Sequence, residues 1–393
     1  MDAIELLDLI QKGESSLVQF KERVIKKEKN KSAYDLGTEM VAFSNTKGGT
    51  LIIGVNDETG DINGLSFDEL QETNALLANV ASNNVKPQIY ISTETINVDG
   101  QNVVVVQILE GISRPYTDNK GVFWLKNGSD KRRVTSRDEM ARLLQSSGNL
   151  YADETIIGGS SINDIDEKEF EAFIDKKHKK TTSDLGLTIQ ELLINMGMLK
   201  DGHLTLGCIL LFGKEPQKFR PTYTVHCIAF KGNNIQGTEF RSKKNPFVGN
   251  IKSVYDQTLS FIVQNLNEVQ TEEGFNSPGK LEVPQETIEE LLVNALVHRD
   301  YFILSTVKVF IFDNRIEIIS PGKLPNTLTV ENIKMGTSIA RNPILYSNSR
   351  YVLPFEGAGS GILRAIEQFP DLELINDSDR ELFISIIKRP SKR

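Results

Sequence analysis

The chain has 393 residues, is 39% hydrophobic and 25% charged, and carries a net charge of −8; this is the composition of a soluble globular protein too long for one core, so two or three domains are expected. Its apolar runs are too short to span a bilayer, and the acidic, amphipathic opening MDAIELLDLIQKGE fits neither a secretion signal nor a transit peptide, so no membrane association and a cytoplasmic location are expected. The acidic balance does not mark the molecule as a whole as a nucleic-acid binder, and two cysteines and four histidines without ligand spacing argue against structural zinc.

Ile4, Leu7 and Ile10 predict a short helix that ends at Gly13, and the apolar-polar alternation over 17–24 predicts a strand. A helical pattern over 36–43 leads into the turn NTKGGT, a buried strand over 51–55 and a loop over 56–64. The pair Gly48-Gly49 reads as a tight turn in preference to a ligand-approach site. ESSLVQFKE (14–22), MVAFSNTKGGTLIIGVND (40–57) and GDINGL (60–65) resemble the Schlafen AlbA-type domain, and the resemblance extends to about Arg133. Some members of that family are nucleases that hold a divalent metal between two glutamates and an aspartate, while others bind nucleic acid without cutting it. Transferred by position, the first glutamate is Glu14, the second falls on Gln19 and the aspartate on Asn56. One carboxylate and two amides hold a metal weakly, and Asp57 would point to the opposite face of an extended strand. A degenerate site without strong nuclease activity is expected.

Further strands are predicted over 102–108 and 121–126, and a helix over 136–145 closes an N-terminal AlbA-like mixed domain, residues 1–145. Arg114, Lys131, Arg132 and Arg133 lie near strand ends and are the candidates for nucleic-acid phosphate contacts. The other basic runs, at 26–31, 176–180, 243–244 and 388–393, read as solvated faces unless several converge. Residues 146–200 read as a linker and helical connector, with helices over 165–177 and 188–196, in preference to a winged helix. Segments 204–212 and 222–230 look strand-like, which buries Cys208 and Cys227 in strands. A helix follows over 248–266, then an acidic loop over 267–284.

In EELLVNALVHRDY (289–301) apolar residues recur at helical spacing, so Glu290 and Asn294 share a face one turn apart. A carboxylate can polarise a water, and an amide oxygen is a hard, neutral ligand for Mg²⁺; alone, such a pair more often marks an exposed face. His298 ends this helix and reads as a residue favoured by the helix dipole rather than as a catalytic base. Strands over 307–312 and 315–319 flank Asp313-Asn314 and lead into SPGKLP (320–325). Segment 327–355 carries Arg341, read equally as a phosphate ligand or a surface arginine. EGAGSG (356–361) opens a helix over 362–369, where glycines let backbone N–H groups converge on an anion. The last predicted strand covers 382–387.

This order of motifs resembles the Bergerat-fold ATPases of the gyrase, histidine kinase and MutL class. NALVHRDY, RIEIISPGKLP, ARNP and GAGSGILRAI are similar, more narrowly, to the ATPase-like domain of bacterial proteins labelled transcriptional regulators or RecG-related. The resemblance implies an α/β (α+β) multidomain chain with a C-terminal Bergerat α/β sandwich over 201–393, and ATP and Mg²⁺ as cofactors. It assigns Glu290 as general base, Asn294 as Mg²⁺ ligand, Gly322 to the nucleoside-side turn, and Gly357, Gly359 and Gly361 to the phosphate loop. Ser320 stands where typical members carry an aspartate that accepts from the adenine amino group, and it lacks the charge that strengthens that bond. Nucleotide binding would then control an N-terminal module that contacts DNA or RNA, in transcription regulation or defence, with ATPase turnover left open. A Glu14-dependent nuclease and a catalytically inactive scaffold are the rival readings. Members often self-associate, which is compatible with a homodimer, and many continue into a C-terminal winged helix that this sequence does not reach.

Overall fold

The computed structural model describes residues 1–24, 29–148, 150–235, 239–269, 279–325, 328–355, 357, 359 and 361–390. It divides into two units, Met1–Ser147 and Gly148–Arg393.

The first unit is built on a four-stranded sheet in the order Val18–Lys21, Gly49–Ile53, Gln101–Ile108, Ile91–Val98. The first pair is parallel and the other pairs are antiparallel; the parallel connection runs through the helix Lys29–Ser44, as parallel strands require a crossover. The run Val103 to Val106 explains the sheet's position. Val103 and Val105 pack with Leu6, Phe20 and Ile52, whereas Val104 and Val106 pack with Met40, Phe43 and Leu51. Both faces are therefore covered, and a strand buried on both faces reads as continuous rather than alternating apolar sequence. Gly49 is fixed by packing: a Cβ there would lie 2.3 Å from the Phe43 ring. The hairpin Trp124–Asn127/Asp130–Arg133 and the helix Arg137–Ser146 complete the unit.

The second unit holds a six-stranded sheet in the order Phe240–Lys243, Val225–Phe230, Val307–Ile311, Arg315–Pro321, Leu382–Lys388, Leu372–Asp377. Val225–Phe230 and Val307–Ile311 are parallel, and the other neighbours are antiparallel. The helices Ile251–Gln264, Gln285–Val297 and Gly361–Gln368 pack with it around one core, which makes an α/β sandwich. Phe170, Phe173, Ile174, Leu192 and Leu193, from the connector helices Glu167–His178 and Ile189–Asn195, belong to that same core.

One expected strand is a helix. Thr205 accepts a hydrogen bond from the Cys208 N–H and starts the helix Leu206–Phe212, every residue of which is buried. An unbroken apolar run has no period to separate helix from strand, and here the N-terminal cap decides. Cys208 is thus helical, while Cys227 lies in a strand as expected. Burial pushes both thiols up, Cys227 to about 12. No helix among the described residues is long and apolar enough to cross a membrane.

Candidate functional site

In the helix Gln285–Val297 the residues Ile288, Leu291, Leu292, Ala295 and Leu296 are buried, which turns Glu290 and Asn294 toward a cleft. The Asn294 Nδ2 donates to the Glu290 backbone oxygen at 2.8 Å and to its Oε1 at 2.6 Å. Both amide hydrogens are then used, and Asn294 Oδ1 remains as an acceptor. The carboxylate lies directly against the start of the helix Gly361–Gln368, since a Cβ on Gly361 would sit 1.7 Å from Glu290 Oε1. Arg364, one turn along, places Nη2 3.7 Å from Glu290 Oε2.

The strand Arg315–Pro321 forms the adjoining wall. Ser320 is buried and its Oγ donates to Ala295 O at 2.8 Å, with its lone pairs still able to accept. Gly322 turns the chain at φ +108°, close against Asp300 and Arg341. Arg341 is only 9% exposed and donates to the carbonyls of Lys323 and His298. It therefore ties the glycine turn to the end of the site helix, and the surface-arginine reading is corrected. Burial pulls its pKa below the usual guanidinium range, with Asp300 and Glu381 opposing.

The segment after this turn folds back over the glycine loop. The Gly336 carbonyl lies against Gly359, and the Tyr346 hydroxyl donates to Gly357 O. His298 caps the site helix as expected, but its ring is packed beside Tyr346 and Phe355. Burial, then Arg341, lowers its pKa to about 4. The imidazole is neutral at physiological pH, so attraction to the helix dipole does not hold it.

Glu290, Asn294, Ser320, Gly322, Arg341, Gly357, Gly359 and Gly361 all line this cleft. Glu356, Ala358 and Ser360 of the glycine motif lie outside the described residues. Sequence reasoning missed Arg364, Tyr346, Phe355 and Ser385, which line it too. Of these, Ser385 was accessible to period-2 reasoning, because it alternates with Phe383 on the strand Leu382–Lys388. Mg²⁺ takes one or two protein oxygens and completes its shell with phosphate and water. The Asn294 amide oxygen beside the Glu290 carboxylate fits that requirement.

The candidates in the first unit are arranged differently. Arg114 pairs with Glu110, Lys131 with Glu39 at 2.9 Å, and Arg132 with Glu139. Arg133 is exposed, with its guanidinium 5.0 Å from the Trp124 ring centroid. Among the basic runs, residues 26–28 and 391–393 lie outside the described residues. Glu14 and Gln19 meet: Gln19 Nε2 and the Phe20 N–H both donate to Glu14 Oε1. Asn56 is held elsewhere, by Glu22 Oε2 and the N–H groups of Glu58 and Thr59, and Asp57 pairs with Lys21. Between Gln19 and Glu39 lies a residue the sequence did not single out, Lys126. Its Nζ donates to Gln19 Oε1 at 2.8 Å, Glu39 Oε1 at 2.9 Å and Ser129 O at 2.6 Å, and its side chain is 1% exposed. Burial pushes the Glu39 carboxyl up, but Lys131 and Lys126 together hold it below the usual carboxylate range. No group of three or more His, Cys, Asp or Glu that could hold a metal occurs among the described residues.

Residues 14–135 match the family model described as "Schlafen, AlbA_2", and residues 305–381 match "Putative ATP-dependent DNA helicase recG C-terminal". The chain thus joins a Schlafen AlbA_2 domain to a domain of the recG C-terminal, ATPase-like family, a combination that points to a nucleic-acid-associated, nucleotide-binding protein. Between them, residues 141–226 match a domain of unknown function, DUF8451. Among solved structures, the DIP2311 protein of Corynebacterium diphtheriae is similar at 21% identity over 95% of this chain and 75% of that one, with a TM-score of 0.46. The N-terminal domain of a RecG-related protein of Nitrosomonas europaea, titled a "Putative ATP-dependent DNA Helicase", is similar at 24% identity over 35% of this chain and 96% of that one, with a TM-score of 0.24. No curated protein matches the chain.

Proposed function

We propose that the cleft of the second unit binds Mg²⁺-ATP, and that its occupancy controls nucleic-acid binding by the AlbA_2 unit. The convergence of Glu290, Asn294, Ser320 and three glycines of one loop on a single cleft carries this reading. Asn294 Oδ1 would hold the metal, and the loop ending at Gly361 would face the phosphates at a helix N-terminus, where N–H groups and the helix dipole favour anions. The bound metal would neutralise phosphate charge. Ser320 and Ser385 offer hydroxyls to the base, so recognition there would be neutral rather than charge-assisted. Glu290 would orient a water for hydrolysis, while its neighbour Arg364 would compete for the carboxylate, which favours binding over rapid turnover. Control of transcription or of a defence response by a homodimer belongs to the same proposal and follows the resemblance rather than the geometry, while the proposed cytoplasmic location rests on the short apolar runs and the acidic N-terminus.

Calorimetry of Mg²⁺-ATP against wild type and Asn294→Ala tests the site. Heat in the wild type that is lost or greatly weakened in the variant is expected. No heat in the wild type, or equal heat in both, overturns the assignment. Nucleic-acid affinity measured with and without Mg²⁺-ATP tests the control, which requires the two values to differ.

A further inference from the structure

A divalent metal does not fit the position that corresponds to the nuclease site of the resembled family, and the reason is the set of bonds around Lys126. Trp124 and Lys126 alternate on one strand and share its inward face, while Glu39 and Phe43, four apart on the helix Lys29–Ser44, share the face that covers the sheet. Gln19, on the face of its strand opposite Val18 and Phe20, completes the enclosure. The ammonium has three hydrogens and three oxygen acceptors, one each from Gln19, Glu39 and Ser129. It also lies 4.9 Å from the Phe43 ring centroid. Glu39 is paired with both Lys126 and Lys131, while Glu14 accepts from Gln19 Nε2 and the Phe20 N–H.

We propose that Lys126 is the resident cation of this site: its ammonium takes the place of a divalent metal, so the AlbA_2 unit works without one. Gln19 is the adaptor that makes the exchange stable. Its amide oxygen accepts from Lys126 while its amide nitrogen donates to Glu14. A glutamate at 19 could accept from the lysine but would have nothing to donate, and would bring two carboxylates into contact. Gln19 and Lys126 are therefore a matched pair. Removing both, in Gln19→Glu/Lys126→Ala, would leave three carboxylates, of which Glu39 keeps Oε1 free of the lost ammonium while Lys131 still holds Oε2, and the Ser129 carbonyl around a vacated volume, oxygen donors of the kind that hold Mn²⁺ or Mg²⁺.

The test is Mn²⁺ binding by the nucleotide-free full chain, followed by calorimetry and by the rise in melting temperature that a ligand of the folded state produces. The double variant is expected to take up one more Mn²⁺ than the wild type, as expected for an added carboxylate and a lost ammonium. A folded double variant that binds no more Mn²⁺ than the wild type overturns the proposal. So does a wild type whose own Mn²⁺ site is abolished by Glu14→Gln. Should the double variant not fold, reductive methylation of the native wild type decides: Lys126 spared while exposed lysines react supports the enclosed ammonium, and modification at their rate refutes it.

Discussion

Asp153 ties the start of the second unit to the segment that folds over the cleft, and it should make that unit less stable as pH rises toward neutrality. The side chain is 0% exposed. Its Oδ2 accepts the Leu345 N–H at 2.9 Å, at the start of the helix Pro343–Asn348, and its Oδ1 has no hydrogen-bond partner among the described residues. Burial pushes the carboxyl up to about 7 from its ordinary value of 3.8, against the lowering effect of the Leu345 and Ile344 N–H groups. Between those two values the folded chain keeps a proton that the unfolded chain has released. Stability is therefore complete below the unfolded value and is lost as pH rises through the folded one. At ~1.4 kcal/mol per unit the loss is of the order of 4 kcal/mol. Asp153→Asn keeps an acceptor for the helix N–H groups and cannot ionise. Urea unfolding at pH 5 and pH 8, followed by far-UV circular dichroism, should show the variant's advantage over the wild type growing by about 3 kcal/mol from pH 5 to pH 8, the part of the loss that falls above pH 5. Trp124, the sole tryptophan, reports the first unit separately by fluorescence. A wild-type stability of the second unit that is flat between these pH values would refute the argument, because the carboxylate would then be charged when folded.

Gly361→Ala should weaken Mg²⁺-ATP binding about tenfold or more in calorimetry, since the added Cβ must displace the Glu290 carboxylate from the cleft position it holds; unchanged affinity would show that binding does not depend on that position. Arg389 and Glu282 form a salt bridge with side chains 2% and 4% exposed. Arg389→Met should cost about 3–5 kcal/mol in urea unfolding by leaving a buried charge unpaired, and a near-wild-type midpoint would show that the pair is solvated. The depressed pKa of Glu39 stabilises the first unit above the unfolded carboxylate value and loses that contribution as pH falls through the folded one. Trp124 fluorescence should accordingly show a shallower loss of stability below pH 4.5 in Glu39→Gln, and parallel acid profiles would refute it.

What was legible in the sequence was mostly local. The i,i+4 pair Glu290/Asn294 and the glycines before a helix are short-range signals, and the cleft collects them as their order implied. Depth was harder to read. Arg341 looks like any loop arginine until the carbonyls of Lys323 and His298 are found around it. His298 has the position that a helix dipole would favour, yet burial outweighs the dipole and leaves it neutral. The helix Leu206–Phe212 has no polar residue to report its period. Lys126 and Glu39 are 87 residues apart, so no window could join them. A signal did exist: each is a lone charge on an otherwise inward face, one beside Trp124 and the other between Leu36, Met40 and Phe43. Two buried charges of opposite sign imply a pair.

The place of the strand Leu382–Lys388, between Arg315–Pro321 and Leu372–Asp377, bears on how the second unit is made. During synthesis the strands through Pro321 emerge first and wait, with the backbone groups of Arg315–Pro321 presented as an open edge that can recruit the wrong partner. Only when residues 382–388 clear the ribosome is that edge covered, and the same event delivers Phe383 and Ser385 to the cleft. A chain broken off before residue 382 would be both sticky and unable to complete its cleft, so completion of the sheet and assembly of the site are one event.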